Sequence, residues 1–211
     1  LAEYIENQEF LGDQPAAHLN MAIVYSNVGE LDKAGRAYQT ALRLDPEFVP
    51  AMINFAMLCD QQGRKDEAAE QFRKVIELEP ELAEAHYSLG LLLAENEERL
   101  EEASRFLAKA ALLAPENPRI HYNLGLALQK LGRADEAEEA LKAALRLSPN
   151  STEFLYALAI LYAQQEDWGR AGACAEHLLR LEPVNPQWRS LREFTQREAK
   201  QGKQAGAGDP P

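Results

Sequence analysis

Hydrophobic and polar positions follow one another along this chain with a helical period that restarts five times. In each cycle an apolar stripe spaced three and four residues apart marks a first helix, a polar turn interrupts it, and a second stripe runs up to a proline. Those prolines, Pro46, Pro80, Pro115, Pro149 and Pro183, stand 34, 35, 34 and 34 residues apart. Four close matching phrases, LRLDP at 42–46, IELEP at 76–80, LRLSP at 145–149 and LRLEP at 179–183, and LLAP at 112–115 is a shorter variant. Setting each proline at position 32 divides the chain into repeats 15–48, 49–82, 83–117, 118–151 and 152–185.

In that frame residue types fall into columns. Position 20 holds Ala34, Ala68, Ala103, Ala137 and Ala171, and position 8 holds Ala22, Ala56, Gly90, Gly125 and Ala159, small residues where two helices must approach closely. Position 24 carries Tyr38, Phe72, Leu107, Leu141 and Ala175, and position 7 carries Met21, Phe55, Leu89, Leu124 and Leu158, which fill the space beside them. Gly29, Gly63 and Gly132 at position 15 mark the turn; repeat 3 has Asn96, Glu97 and Glu98 with one extra residue there, and repeat 5 has Glu166 and Asp167. Each unit is predicted to be a helical hairpin, too small to fold alone and stabilised by stacking on its neighbours. Residues 186–200 predict one further helix, with Trp188, Leu191 and Phe194 on the side that covers repeat 5 and Arg189, Arg192 and Arg197 elsewhere. Residues 1–14 read as the second helix of a degenerate half repeat, and 201–211 as a disordered tail.

The columns resemble the tetratricopeptide repeat family: its Leu, Gly, Ala, aromatic and Pro pattern stands in YSLG, YNLG, the five alanines and the five prolines. The resemblance covers about 170 of the 211 residues. It implies an all-α fold, a right-handed superhelical solenoid of antiparallel helix hairpins. Position 4 departs from the family's Trp, with His18, Met52, His86, His121 and Leu155. In that family the first helices line a concave face through positions 2, 5, 6, 9, 12 and 13. The groove implied here is apolar and aromatic, with Leu19, Ile53, Tyr87, Tyr122 and Tyr156 at position 5, and Ile23, Met57, Leu91, Leu126 and Ile160 at position 9. Position 6 gives Asn20, Asn54, Ser88, Asn123 and Ala157; such a row resembles the asparagine ladder of peptide-binding members, since an amide both donates and accepts, and equally suits helix packing. The carboxylate clamp of members that bind chaperone tails is not matched: Arg119 with Asn123 and Lys130 is only a fragment of it.

Composition narrows the function further. Net charge is −12, and residues 1–185 carry 31 acidic against 17 basic side chains, a surface that repels nucleic acid and anionic lipid and favours basic or apolar partners. The mean hydropathy is −0.41, and no apolar run approaches a membrane span. Cys59 and Cys174, 115 residues apart, read as buried hydrophobes, and the chain, which opens at Leu1, reads as a piece of a longer protein of cytoplasmic or periplasmic location. His18, His86 and His121 share a column but are a whole hairpin apart, too far to share a metal. No phosphate loop, CxxC, HExxH or nucleophile elbow occurs, so no cofactor and no catalysis are expected. The sequence therefore points to a protein or peptide ligand. The alternative is a scaffold or oligomerisation segment of a larger bacterial enzyme, because the Ala- and Leu-rich acidic repeats also resemble tails that follow multihaem cytochrome domains.

Overall fold

The computed structural model describes residues 14–205, with side chains described as far as 201; residues 1–13 of the half repeat expected over 1–14, and 206–211 of the tail expected over 201–211, lie outside them. Among the described residues there are eleven α-helices and no strand: α1 Pro15–Asn27, α2 Leu31–Leu44, α3 Val49–Gln61, α4 Lys65–Leu78, α5 Ala83–Ala94, α6 Leu100–Leu113, α7 Pro118–Lys130, α8 Ala134–Leu147, α9 Thr152–Gln164, α10 Trp168–Leu181 and α11 Pro186–Ala205. The last helix runs to Ala205, five residues beyond the predicted end and into the stretch expected to be tail. The chain divides into two compact units, the first ending at Glu95 and the second starting at Asn96, in the turn where repeat 3 lacks a glycine. A 3₁₀ turn, Glu97–Arg99, occupies that place, with the Asn96 carboxamide oxygen accepting from the Glu98 amide.

In the first unit α1 packs on α2, α2 on α3, α3 on α4 and α4 on α5. Ala22, Ala34, Ala56 and Ala68 have no exposed surface, and Tyr38 and Phe72 are buried beside them. In the second unit the same order holds from α6 to α11. Its core gathers Leu128, Ala137, Leu141, Leu158, Leu161, Tyr162 and Ala171. Turn position 15 takes positive φ, 79° at Gly29, 75° at Gly63 and 73° at Gly132; repeat 5 forces Glu166 into the same region at 57°, which a side chain adopts only at a cost.

The column of histidines has a mechanical role. The Nε2 of His86 lies 2.8 Å from the Pro80 carbonyl and that of His121 lies 2.9 Å from the Pro115 carbonyl, which makes each a donor tying the start of a first helix to the turn before it. Helix α11 keeps the register at positions 3 and 10, where Trp188 and Thr195 are buried. At position 8, where other first helices meet their own second helix, it carries the exposed Glu193. Helix α11 thus packs on the preceding hairpin while leaving position 8 polar. Phe194, expected on the covering side, is 41% exposed and meets Trp168 edge-on, because Thr195 takes the inner position.

One carboxylate links three helices of the second unit. Glu138 on α8, 13% exposed, accepts hydrogen bonds from Lys142, from Arg170 on α10 (2.8 and 2.9 Å) and from the Tyr162 hydroxyl on α9 (3.1 Å), while the Arg170 guanidinium lies 4.2 Å over the Tyr162 ring. Burial pushes its pKa up, but the bonds from Lys142, Tyr162 and Arg170 outweigh burial and hold it below the usual value. A depressed folded pKa stabilises above the unfolded value of about 4.3 and that contribution is lost as pH falls through the folded pKa. Glu138→Gln is expected to cost about 1–2 kcal/mol at pH 7 and progressively less below pH ~4, read by urea denaturation at both pH values.

Candidate peptide-binding face

The first helices differ from the second in how apolar residues are distributed. Second helices α2, α4, α6, α8 and α10 are strongly one-sided, and so is the first helix α7, whereas the first helices α1, α3, α5 and α9 spread their apolar residues around the helix. Helices α3, α7 and α9 each pack on their own second helix and on the one before it, with smaller contacts between α1 and α3 and between α7 and α9, and a further stripe of side chains stays partly open to solvent.

In the first unit that stripe carries Asn20 on α1, Ile53, Asn54 and Met57 on α3, and Tyr87 and Leu91 on α5. Met57 is 55% exposed, Asn20 is exposed, and the others are half-buried. The Asn54 side chain donates one N–H to the Pro50 carbonyl of its own helix at 2.7 Å, which leaves its second N–H and its carboxamide oxygen outside that bond.

In the second unit α7 supplies Arg119, Tyr122, Asn123 and Leu126, and α9 supplies Tyr156. The Tyr122 ring stacks on Phe154 with centroids 4.7 Å apart at 29°, and the Arg119 guanidinium lies 5.9 Å from both rings while pairing with Glu153 at 2.7 Å. Burial raises the Tyr122 hydroxyl pKa, and the neighbouring Glu153 charge adds to the rise. Tyr156 leans on Trp188 at 5.4 Å. The tyrosines are thus held by rings behind them, a preorganised surface for contact.

Phe154 and Glu153 were not among the expected site residues. A signal was available: position 3 reads Ala17, Ala51, Ala85, Ile120, Phe154 and Trp188, growing towards the end of the chain, and the large members buttress the tyrosines. Asn117 and Ser151 fix the start of these helices, accepting from the Arg119 amide at 3.0 Å and the Phe154 amide at 3.3 Å. Cys59 and Cys174 are free and buried, each with its thiol pushed up to about 11, first by desolvation. Among the described residues no cluster of metal-ligating side chains occurs, and no helix is long and apolar enough to cross a membrane.

The family model described as the C-terminal domain of cilia and flagella-associated protein 70 matches residues 3–207. Among solved structures, YrrB, described as "a TPR protein with an unusual peptide-binding site", is similar with a TM-score of 0.76 at 22% identity, over 92% of this chain and 97% of that one. MamA from Desulfovibrio magneticus RS-1 has a TM-score of 0.74 at 22% identity, over 83% and 99%. The pilF protein of Pseudomonas aeruginosa has 0.68 at 23%, over 92% and 93%. No curated protein matches. At these identities the likeness shows the fold, an all-α helical solenoid of the tetratricopeptide type. The chain is a tetratricopeptide-type helical repeat protein and belongs to the family of the cilia and flagella-associated protein 70 C-terminal domain.

Proposed function

We propose that the protein is a non-catalytic binding module that holds an extended protein or peptide segment, apolar or basic in character, along its first helices. The observation that carries this is a shared stripe: Ile53 and Met57 in one unit, and Tyr122 and Leu126 in the other, stand partly open to solvent at matching positions of first helices. Apolar area left at the surface in register is what a partner covers. The excess of acidic side chains selects basic ligands at longer range and disfavours nucleic acid. A neighbour in fold described by its peptide-binding site fits the same reading.

The experiment is affinity capture from the source organism, followed by titration of the captured partner against Met57→Lys. Met57 touches solvent over half its surface, so the change leaves folding intact while removing an apolar contact and opposing a basic ligand. Affinity is expected to fall about tenfold with an unchanged melting point. Unchanged affinity would place the ligand off this face.

A further inference from the structure

The second helices carry a feature that the first-helix face does not explain. Among the columns, position 28 is aliphatic in four repeats, Leu42, Ile76, Leu145 and Leu179, and position 29 is charged in the same four, Arg43, Glu77, Arg146 and Arg180. Repeat 3 exchanges this pair for Ala111 and Leu112, and has Ala108 at position 25, where the others have Gln39, Arg73, Lys142 and Glu176. Bulk is missing where the other hairpins fill space, and a leucine stands where they place a charge.

The structure shows the result inside the second unit. Between α6 and α8 lies an open cleft of about 490 Å³, floored by Ala108, Ala111, Leu124, Leu128 and Ala140. Leu124, at a position where Phe55, Leu89 and Leu158 are buried, is partly uncovered here, and Leu112 at the edge is 78% exposed. The rim is basic in its free charges. Arg133 is engaged by Glu136 and Glu101. Arg105 donates only through Nε to the Glu101 carbonyl at 3.3 Å, so its terminal nitrogens have no carboxylate, and Arg146 has no ion-pair partner among the described residues. Glu139 is the one rim carboxylate outside an ion pair. A cleft of this size accepts one or two aliphatic side chains, and two unpaired guanidiniums beside it select a carboxylate.

We propose that the cleft between α6 and α8 is a second docking site, on the opposite kind of helix from the first, for a short protein segment that inserts leucine-like side chains with a neighbouring Asp or Glu. Its preference is the reverse of the first-helix face: the protein as a whole repels acidic chains, and Arg105 and Arg146 reverse that locally. Two sites of opposite preference let one chain hold two different partners.

The test uses uniformly ¹⁵N-labelled protein titrated with the synthetic peptide acetyl-Ala-Glu-Leu-Leu-Glu-Ala-amide and with the same peptide carrying Lys for both Glu. The acidic peptide is expected to shift amide resonances within 104–112 and 136–146, and the lysine version to bind at least about tenfold more weakly. The double change Ala111→Leu with Leu112→Arg gives α6 the pair already present in α2, α8 and α10, so it folds, and is expected to weaken binding about tenfold or more by filling the cleft. Arg146→Gln should weaken binding of the acidic peptide and flatten its salt dependence. The proposal is overturned by an absence of shifts, by shifts confined to the first helices, by equal binding of the lysine peptide, or by a double variant that binds as well as the parent.

Discussion

Gly125→Ala is expected to destabilise the protein by about 1–3 kcal/mol, although alanine is the better helix former. A Cβ at this position would stand 2.7 Å from Cγ and 2.9 Å from Cδ2 of Leu141, and 3.3 Å from the Ala137 carbonyl oxygen. Leu141 has no exposed surface and lies in the core with Leu128, Leu158 and Tyr162, so it has nowhere to move. The clash outweighs the propensity gain of about 1 kcal/mol. Leu141→Ala alone should cost about 3 kcal/mol through lost contact and a residual cavity. The double variant should be less damaging than the sum by about 1 kcal/mol, because the added methyl enters the space vacated. Repeat 5 already carries that combination, Ala159 at position 8 with Ala175 at position 24, both fully buried. Urea denaturation of the four proteins measures the coupling; strict additivity would show that these columns do not oppose one another.

Trp188→Ala is expected to have the largest effect of any single change in the last helix, about 3–5 kcal/mol. The indole is 7% exposed and packs with Leu155 and Leu178, its N–H donates to Glu182 at 2.7 Å, and its ring meets Tyr156. In a stacked array each hairpin answers to its neighbours, so the loss should first appear as local opening at that end. Amide hydrogen exchange should accelerate in α11 and α10 well before α7 and α8. Uniform acceleration throughout the second unit would mean that α11 is an integral part of one cooperative block instead of a cap.

The fold was legible because its determinants repeat. A small residue at position 8 facing bulk at position 24 is one packing solution written in four of the five repeats, and the proline spacing recurs in all five, which separates the pattern from chance. The histidines were legible as a column but not as donors, since the accepting carbonyls of Pro80 and Pro115 belong to the backbone and carry no signature in the sequence. Asn54 shows the limit more sharply. Its column says that an amide stands on the first helix, yet the bond from its amide to the Pro50 carbonyl is a rotamer choice that residue type does not encode. Phe154 stands at position 3, outside the positions that point outward in the family, and supports Tyr122 from behind. In the last helix the apolar character of Phe194 does not make it the buried residue, because the close approach of Thr195 to Gly172 leaves room only for the smaller side chain.

A separation of two tasks is expected along the first helices: columns that hold the fold and a stripe that holds a ligand. It is tested by measuring affinity for the captured partner and melting temperature side by side for Asn54→Ala, Asn123→Ala, Gly125→Ala and the exposed second-helix control Glu77→Ala. Each asparagine change is predicted to weaken binding about fivefold or more, the scale of one unmade hydrogen bond, with the melting temperature nearly unchanged; Glu77→Ala should alter neither, and Gly125→Ala should lower the melting temperature. Asparagine variants that melt earlier yet bind as tightly would make the row a packing feature and contradict the assignment of this face.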